Sequence, residues 1–159
     1  MPDKPVTVHS AHDEVFVVTR HAMRFSEFGD IPRLSAAQLP RLRKELRRLE
    51  IEQAGPDVFI YTFSTDPHGG RRPADGDFVL ELALPVAAEP VGLSAPFAAK
   101  RVSTFRYIAM RTTDFSQWTT LRDLAEENGL TRSLVEREVV LSRGATLADS
   151  VIELQEGVA

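Results

Sequence analysis

The stretch DFVLELALPV, Asp77 to Val86, returns near the C-terminus as DSVIELQEGV, Asp149 to Val158. In register, Asp77/Asp149, Val79/Val151, Glu81/Glu153, Leu82/Leu154 and Val86/Val158 are identical, at a shift of 149 − 77 = 72 residues. Other fragments pair in the same order. FVVTR, Phe16 to Arg20, lies against YIAMR, Tyr107 to Arg111, at a shift of 107 − 16 = 91. Gly55 ends one helix-like run and Gly129 ends another, at a shift of 129 − 55 = 74. Internal repetition decides architecture before any local feature does. The chain therefore reads as two copies of one unit, the second with a shorter middle.

The intervening sequence supplies the rest of each copy. PVTVHS, Pro5 to Ser10, suits an edge strand, and EVFVVTRH, Glu14 to His21, a stronger one. Met23 to Leu34 reads as irregular, broken by Gly29 and Pro32. Ser35-x-x-Gln38 reads as a capping box, with Leu39, Leu42, Leu46 and Leu49 following at helical spacing. Pro40 then belongs to the first turn of that helix. DVFIYTF, Asp57 to Phe63, is a strand with Phe59, Tyr61 and Phe63 on one face and Val58 and Ile60 on the other. Ser64 to Gly76 is a loop by composition.

Lys100 to Arg111 opens the second copy as a strand. Asp114 to Asn128 is a helix with Trp118, Leu121, Leu124 and Ala125 on one stripe. LVEREVVL, Leu134 to Leu141, alternates, with Glu136, Glu138 and Val140 on one face. The expected fold class is α+β, two pseudo-symmetric βαββ-type repeats with antiparallel sheets, helices on one side and a cleft between the halves. A single domain spans 1–159, with half one at about 5–86, a Pro/Ala-rich connector at about 87–96 and half two at about 97–158.

Composition narrows the function classes. A net charge of −4 argues against non-specific nucleic-acid binding. With no cysteine, disulfides, thiolate catalysis and cysteine zinc sites are excluded. His9, His12, His21 and His68 show no metal-ligand spacing on one helix face, so no metal and no cofactor is expected. No nucleophile-elbow pattern exists, and no catalytic residue is assigned. No segment approaches a membrane span, and a cytoplasmic protein is expected.

GDFVLELALPV, FRYIAMR, a helix with Trp118 ending in EENGL, and REVVL follow one another in an order that resembles the GyrI-like small-molecule-binding domain. The same fold serves as effector-binding domain in AraC-type and MerR-type regulators. The usual last motif of that family is Arg-Glu-Val-Tyr-Leu; Arg137, Glu138, Val139 and Leu141 fit it, and Val140 replaces the tyrosine. The resemblance implies a pocket for flat, cationic or amphipathic ligands, with Glu138 as its acidic floor and Trp118 as a wall.

The leading expectation is thus a stand-alone small-molecule-binding protein, with Glu138, Trp118, Tyr61, Phe59 and Tyr107 at the ligand. The alternatives are a hydrolase of electrophilic, cyclopropane-type compounds and a protein that binds gyrase or another protein partner. No direct DNA contact is expected. Against each residue stands a plainer role: Glu138 as a surface acid, Trp118 as helix core, the Phe59/Tyr61/Phe63 stripe as packing for the first helix. Glu81 and Glu153 read as solvent-facing strand positions, and the basic residues Arg33, Arg41, Arg43, Lys44, Arg47 and Arg48 as a solvated helix face.

Overall fold

The computed structural model describes residues 6–68, 76–143 and 150–159. Pro5, residues 69–75 of the Ser64 to Gly76 loop, and Asp149, which figured in the sequence reading, lie outside them.

The element order is β1 (His9–Arg24), a 3-10 turn (Phe25–Asp30), α1 (Ile31–Arg48), β2 (Val58–Phe63), β3 (Asp77–Val86), β4 (Ala98–Thr112), a 3-10 turn (Phe115–Gln117), α2 (Trp118–Glu127), β5 (Arg132–Ser142) and β6 (Val151–Val158). Each half is strand, helix, strand, strand, as the repeat implied. The strands close into one antiparallel barrel in the order β1-β3-β2-β5-β6-β4. The halves join along two seams, β2 against β5 and β1 against β4. Exchanging β1 with β4, β2 with β5 and β3 with β6 returns the same ring, which is a twofold relation in topology.

Register confirms it residue by residue. Phe16 pairs with Pro85 on β3, and Tyr107 pairs with Gly157 on β6. Phe16 to Tyr107 is the 91-residue shift and Pro85 to Gly157 the 72-residue shift, both read from sequence. The same logic aligns β2 with β5. Phe59 pairs with Leu82 and Glu138 with Leu154, and Leu82/Leu154 are identical repeat positions. Phe59 and Glu138 are therefore equivalents, at a shift of 138 − 59 = 79.

The strands alternate between two environments. Phe16, Val18, Val58, Ile60 and Ala83 fill the barrel interior, with Val102, Val135 and Val139 against them. The opposite face of the first half packs under α1, with Leu39, Leu42 and Leu46 meeting Val15, Val17, Leu80, Leu82 and Leu84. Leu121 and Ala125 of α2 meet Ile108, Ile152 and Leu154 in the same way.

Several expectations about the first half are corrected. β1 is one continuous strand from His9, and 6–8 form no separate edge strand. α1 begins at Ile31, not Ser35. Pro32 sits at its start, where a missing N–H costs nothing, and so marks initiation, not a break. Ser35 lies inside the helix, its hydroxyl donating to the Pro32 carbonyl at 3.0 Å, which replaces the expected capping box. Pro40 consequently falls in the helix interior. It has no N–H to offer the Ala36 carbonyl.

Glu81 is also corrected. It is 3 % exposed and points into the barrel, held by Lys100 at 2.8 Å and Arg20 at 3.8 Å. A closed barrel makes the second strand face an interior, and alternation alone does not distinguish an interior from solvent.

Candidate functional site

A cavity of about 620 Å³ lies outside the barrel wall along the β2–β5 seam, between α1 and α2. β2 contributes Phe59, Tyr61 and Phe63, and β5 contributes Glu136, Glu138 and Val140. The α1 wall carries Ile31, Leu39, Pro40 and Arg43, and the α2 wall Trp118 and Arg122, with Phe115 just before it. The aromatic stripe of β2 thus both packs beside α1 and faces the cavity.

Four of the five residues expected at a ligand, Glu138, Trp118, Tyr61 and Phe59, line this one space. Tyr107 does not. It stacks on His9 and Phe105 at 5.4 and 5.3 Å and borders a second hollow with Glu14, Arg137 and Gln155. The 91-residue repeat places Tyr107 opposite Phe16, on a strand that the cavity does not reach.

Glu138 is 8 % exposed. The Trp118 indole Nε1 donates to its Oε1 at 3.4 Å, and the Tyr61 phenol lies close enough to stabilise its charged form. Burial pushes the Glu138 carboxyl up to about 7; the two donors pull it down and the neighbouring Glu136 charge pushes it up further. Burial and Glu138 together hold the Tyr61 phenol well above its ordinary range, so it stays a donor. Tyr61 and Val140 are equivalent positions under the repeat, at 140 − 61 = 79. The phenol absent from Val140 is therefore supplied to the same acid by its counterpart in the other half.

The rows beside Glu138 are neutralised. Glu136, 1 % exposed, takes two bonds of 2.7 Å from Arg122. On the other side Val140 N–H donates to the Asp57 carbonyl at 3.0 Å, and the Asp57 carboxylate receives both Arg43 and Arg143. Burial raises Asp57, but Gln53, Arg143 and the Arg43 charge outweigh it and hold the carboxyl below its usual range. Among the described residues no lysine or arginine pairs with Glu138.

Behind Glu136 lies Glu156, fully buried and its partner across β5–β6. Burial and the Glu136 carboxylate raise Glu156 far enough to keep it protonated at neutral pH. Arg132 reaches it at 3.0 Å.

Arg122, Glu136, Arg43 and Arg143 were not singled out as site residues. Two of them were findable: Arg122 is four residues after Trp118 on one helix face, and Glu136 shares the Glu138 face of β5. A metal-competent group among the described residues is His68, Asp123 and Glu126, away from the cavity lining. Its carboxylates already face His68 at 2.8 Å and Arg132 at 3.7 Å.

No family model matches the sequence, and no curated protein sequence matches it. Solved structures do match in shape. The EcmrR C-terminal domain superposes with a TM-score of 0.69 at 13% identity, over 98% of this chain and 97% of that one. SAV2435 bound to tetraphenylphosphonium gives 0.57 at 9% identity, over 98% and 94%. A hydrolase from Listeria innocua gives 0.54 at 10% identity, over 96% and 91%. The chain has the GyrI-like fold. At these identities the likeness is one of fold, and the GyrI-like architecture accounts for the paired repeats and the cleft between α1 and α2. No helix is long and apolar enough to cross a membrane.

Proposed function

We propose that the cavity captures an aromatic, lipophilic cation, with Glu138 as its counter-charge. One observation carries this reading: Glu138 is a buried carboxylate flanked by two arginine-neutralised acids, yet among the described residues it meets no cation, with Trp118 and Tyr61 beside it. A buried anion without a cation is costly, and a cationic ligand relieves that cost. Phe59, Phe63, Phe115 and Trp118 offer ring faces around it. A cation over such a face gains about 0.5–2 kcal/mol beyond the ion pair. The volume is that of a small-molecule site. SAV2435, of the same fold, was solved with tetraphenylphosphonium bound.

The chain holds a single tryptophan, so its fluorescence reports on the cavity alone. Titration with tetraphenylphosphonium should quench or shift Trp118 emission saturably. An emission spectrum unchanged up to millimolar ligand would remove the reading.

A second reading, hydrolysis, is favoured by the same acid. A carboxyl near pH 7 with a phenol beside it can take a proton from an attacking water. Val140 lacks the phenol of the family motif, but Tyr61, its repeat counterpart, places a hydroxyl beside the same acid. Mass analysis of an electrophilic cyclopropane-bearing compound after incubation tests it. A compound recovered intact would leave capture alone.

A further inference from the structure

We infer that the cavity selects zwitterions, taking the cationic end of a ligand at Glu138 and an anionic group at Arg43 and Arg143. The inference rests on the capture reading above and adds a second pole to it.

Both guanidiniums line the cavity and converge on one oxygen, Oδ2 of Asp57, with Arg143 at 2.6 Å. Asp57 is buried and also accepts from Gln53 at 2.8 Å. Among the described residues, two arginines on one carboxylate leave that end of the cavity with one positive charge in excess. The side chains of Arg43 and Arg143 are 37% and 55% exposed, so their outer N–H groups remain open to a ligand. On the opposite side of Glu138 no guanidinium is left open to a ligand: Arg122 is bound to Glu136, and Arg132, 3.8 Å from Glu136, is buried and shared with Glu156 and Asp66.

Position follows from the ladder. Asp57, Phe59 and Tyr61 alternate onto the cavity face, opposite Val140, Glu138 and Glu136 in turn. Asp57 and Glu138 thus stand two strand residues apart, on the order of 7 Å. A rigid aromatic ligand with a cation and a carboxylate at about that separation meets both poles at once. A plain cation leaves the guanidiniums hydrated and places like charge near them. Guanidiniums recognise carboxylates through paired, charge-assisted bonds, so the added group contributes affinity and orientation.

The test uses two dyes that differ by one group: rhodamine B, a xanthylium cation with a free carboxylate, and its methyl ester. Anisotropy titrations at pH 8 should give rhodamine B a roughly tenfold tighter Kd in the parent protein. Arg43→Gln and Arg143→Gln each leave Asp57 one guanidinium, so the pair survives while the excess charge is lost. In either variant the ratio of the two Kd values should fall to near one, through weaker binding of rhodamine B and, with like charge near the cation removed, binding of the ester no weaker than in the parent. Glu138→Gln should weaken both dyes and keep the ratio. An ester that binds the parent as tightly as the acid, or a preference that persists in both arginine variants, overturns the inference but leaves cation capture standing. Failure of both dyes to bind the parent overturns both.

Discussion

Phe59 and Glu138 are direct partners across the β2–β5 ladder, and each is the other's counterpart in the two repeats. The pseudo-twofold axis therefore passes between them. Duplication alone would put the same side chain on both sides of that axis. Here one half supplies a ring and the other an acid, so the floor of the cavity holds one carboxylate against one aromatic face.

Phe59→Glu would restore chemical symmetry at the cost of stability. Two carboxylates at directly paired positions cannot both ionise cheaply. Urea unfolding should show a loss of about 2–4 kcal/mol at pH 8 and a smaller loss at pH 5, where one proton can be shared. An equal loss at both pH values would show that the two groups do not sense each other.

The raised carboxyl of Glu138 links stability to pH. The folded state holds its proton up to about 7, while the unfolded chain releases it near 4.5. Between those values the native state binds more protons, so stability falls as pH rises through the window. The full effect of Glu138 is on the order of 3 kcal/mol. Glu156, raised to about 9, acts in the same direction over a window that opens at the same 4.5 and runs on beyond that of Glu138. Glu138→Gln should flatten the decline between pH 5 and pH 7 and make the unliganded protein more stable at pH 8. A parent protein whose urea midpoint is constant from pH 5 to pH 8 would contradict this.

Arg122 separates Glu136 from its acidic neighbours. Arg122→Met leaves the fully buried Glu136 carboxylate only the longer contact to Arg132, at 3.8 Å, beside Glu138 and Glu156. The expected loss in urea unfolding is about 3–5 kcal/mol. Glu136→Gln in the same background should recover part of it. No recovery would mean that Arg122 matters through packing on Trp118, over which it sits at 5.4 Å.

Much of this fold was legible because repetition survives in the strands that bear the core. The shifts of 72 and 91 residues are the register of the barrel itself. Closure was not legible, because pairing across β1–β4 and β2–β5 depends on contacts between the two copies and not on any pattern within one. Glu81 was misread for that reason. The start of α1 was missed because Pro32 looks like a breaker until its place at the helix start is known. At the site, strand alternation exposed Glu138, Tyr61 and Phe59. Spacing from Trp118 also points to Arg122, but Arg43 and Arg143 come from distant helical and loop positions, where nothing in the local sequence separates a partnered guanidinium from a solvated one.

Gly157 marks a place where the second copy has no room. A Cβ there would meet Ser133 Oγ, the Val135 carbonyl and the Phe105 ring, beside a bulge in β5 with Leu134 at φ 64°. Gly157→Ala should cost about 1–3 kcal/mol, read as a fall in Tm. Pro85, its counterpart in the first copy, carries a side chain without difficulty because β5's bulge has no equivalent in β2 among the described ladders. A Tm equal to the parent's would show that the β5 backbone yields.

The central claim is that Glu138 is the counter-charge for a bound cation, and calorimetric titration of tetraphenylphosphonium into parent and Glu138→Gln protein tests it most directly. The account predicts that parent affinity rises as pH goes from 6 to 8 with net proton release on binding, and that Glu138→Gln, still folded by circular dichroism, binds about 10–100-fold more weakly with no pH dependence over that range. Equal affinity in the two proteins at pH 8 would contradict it.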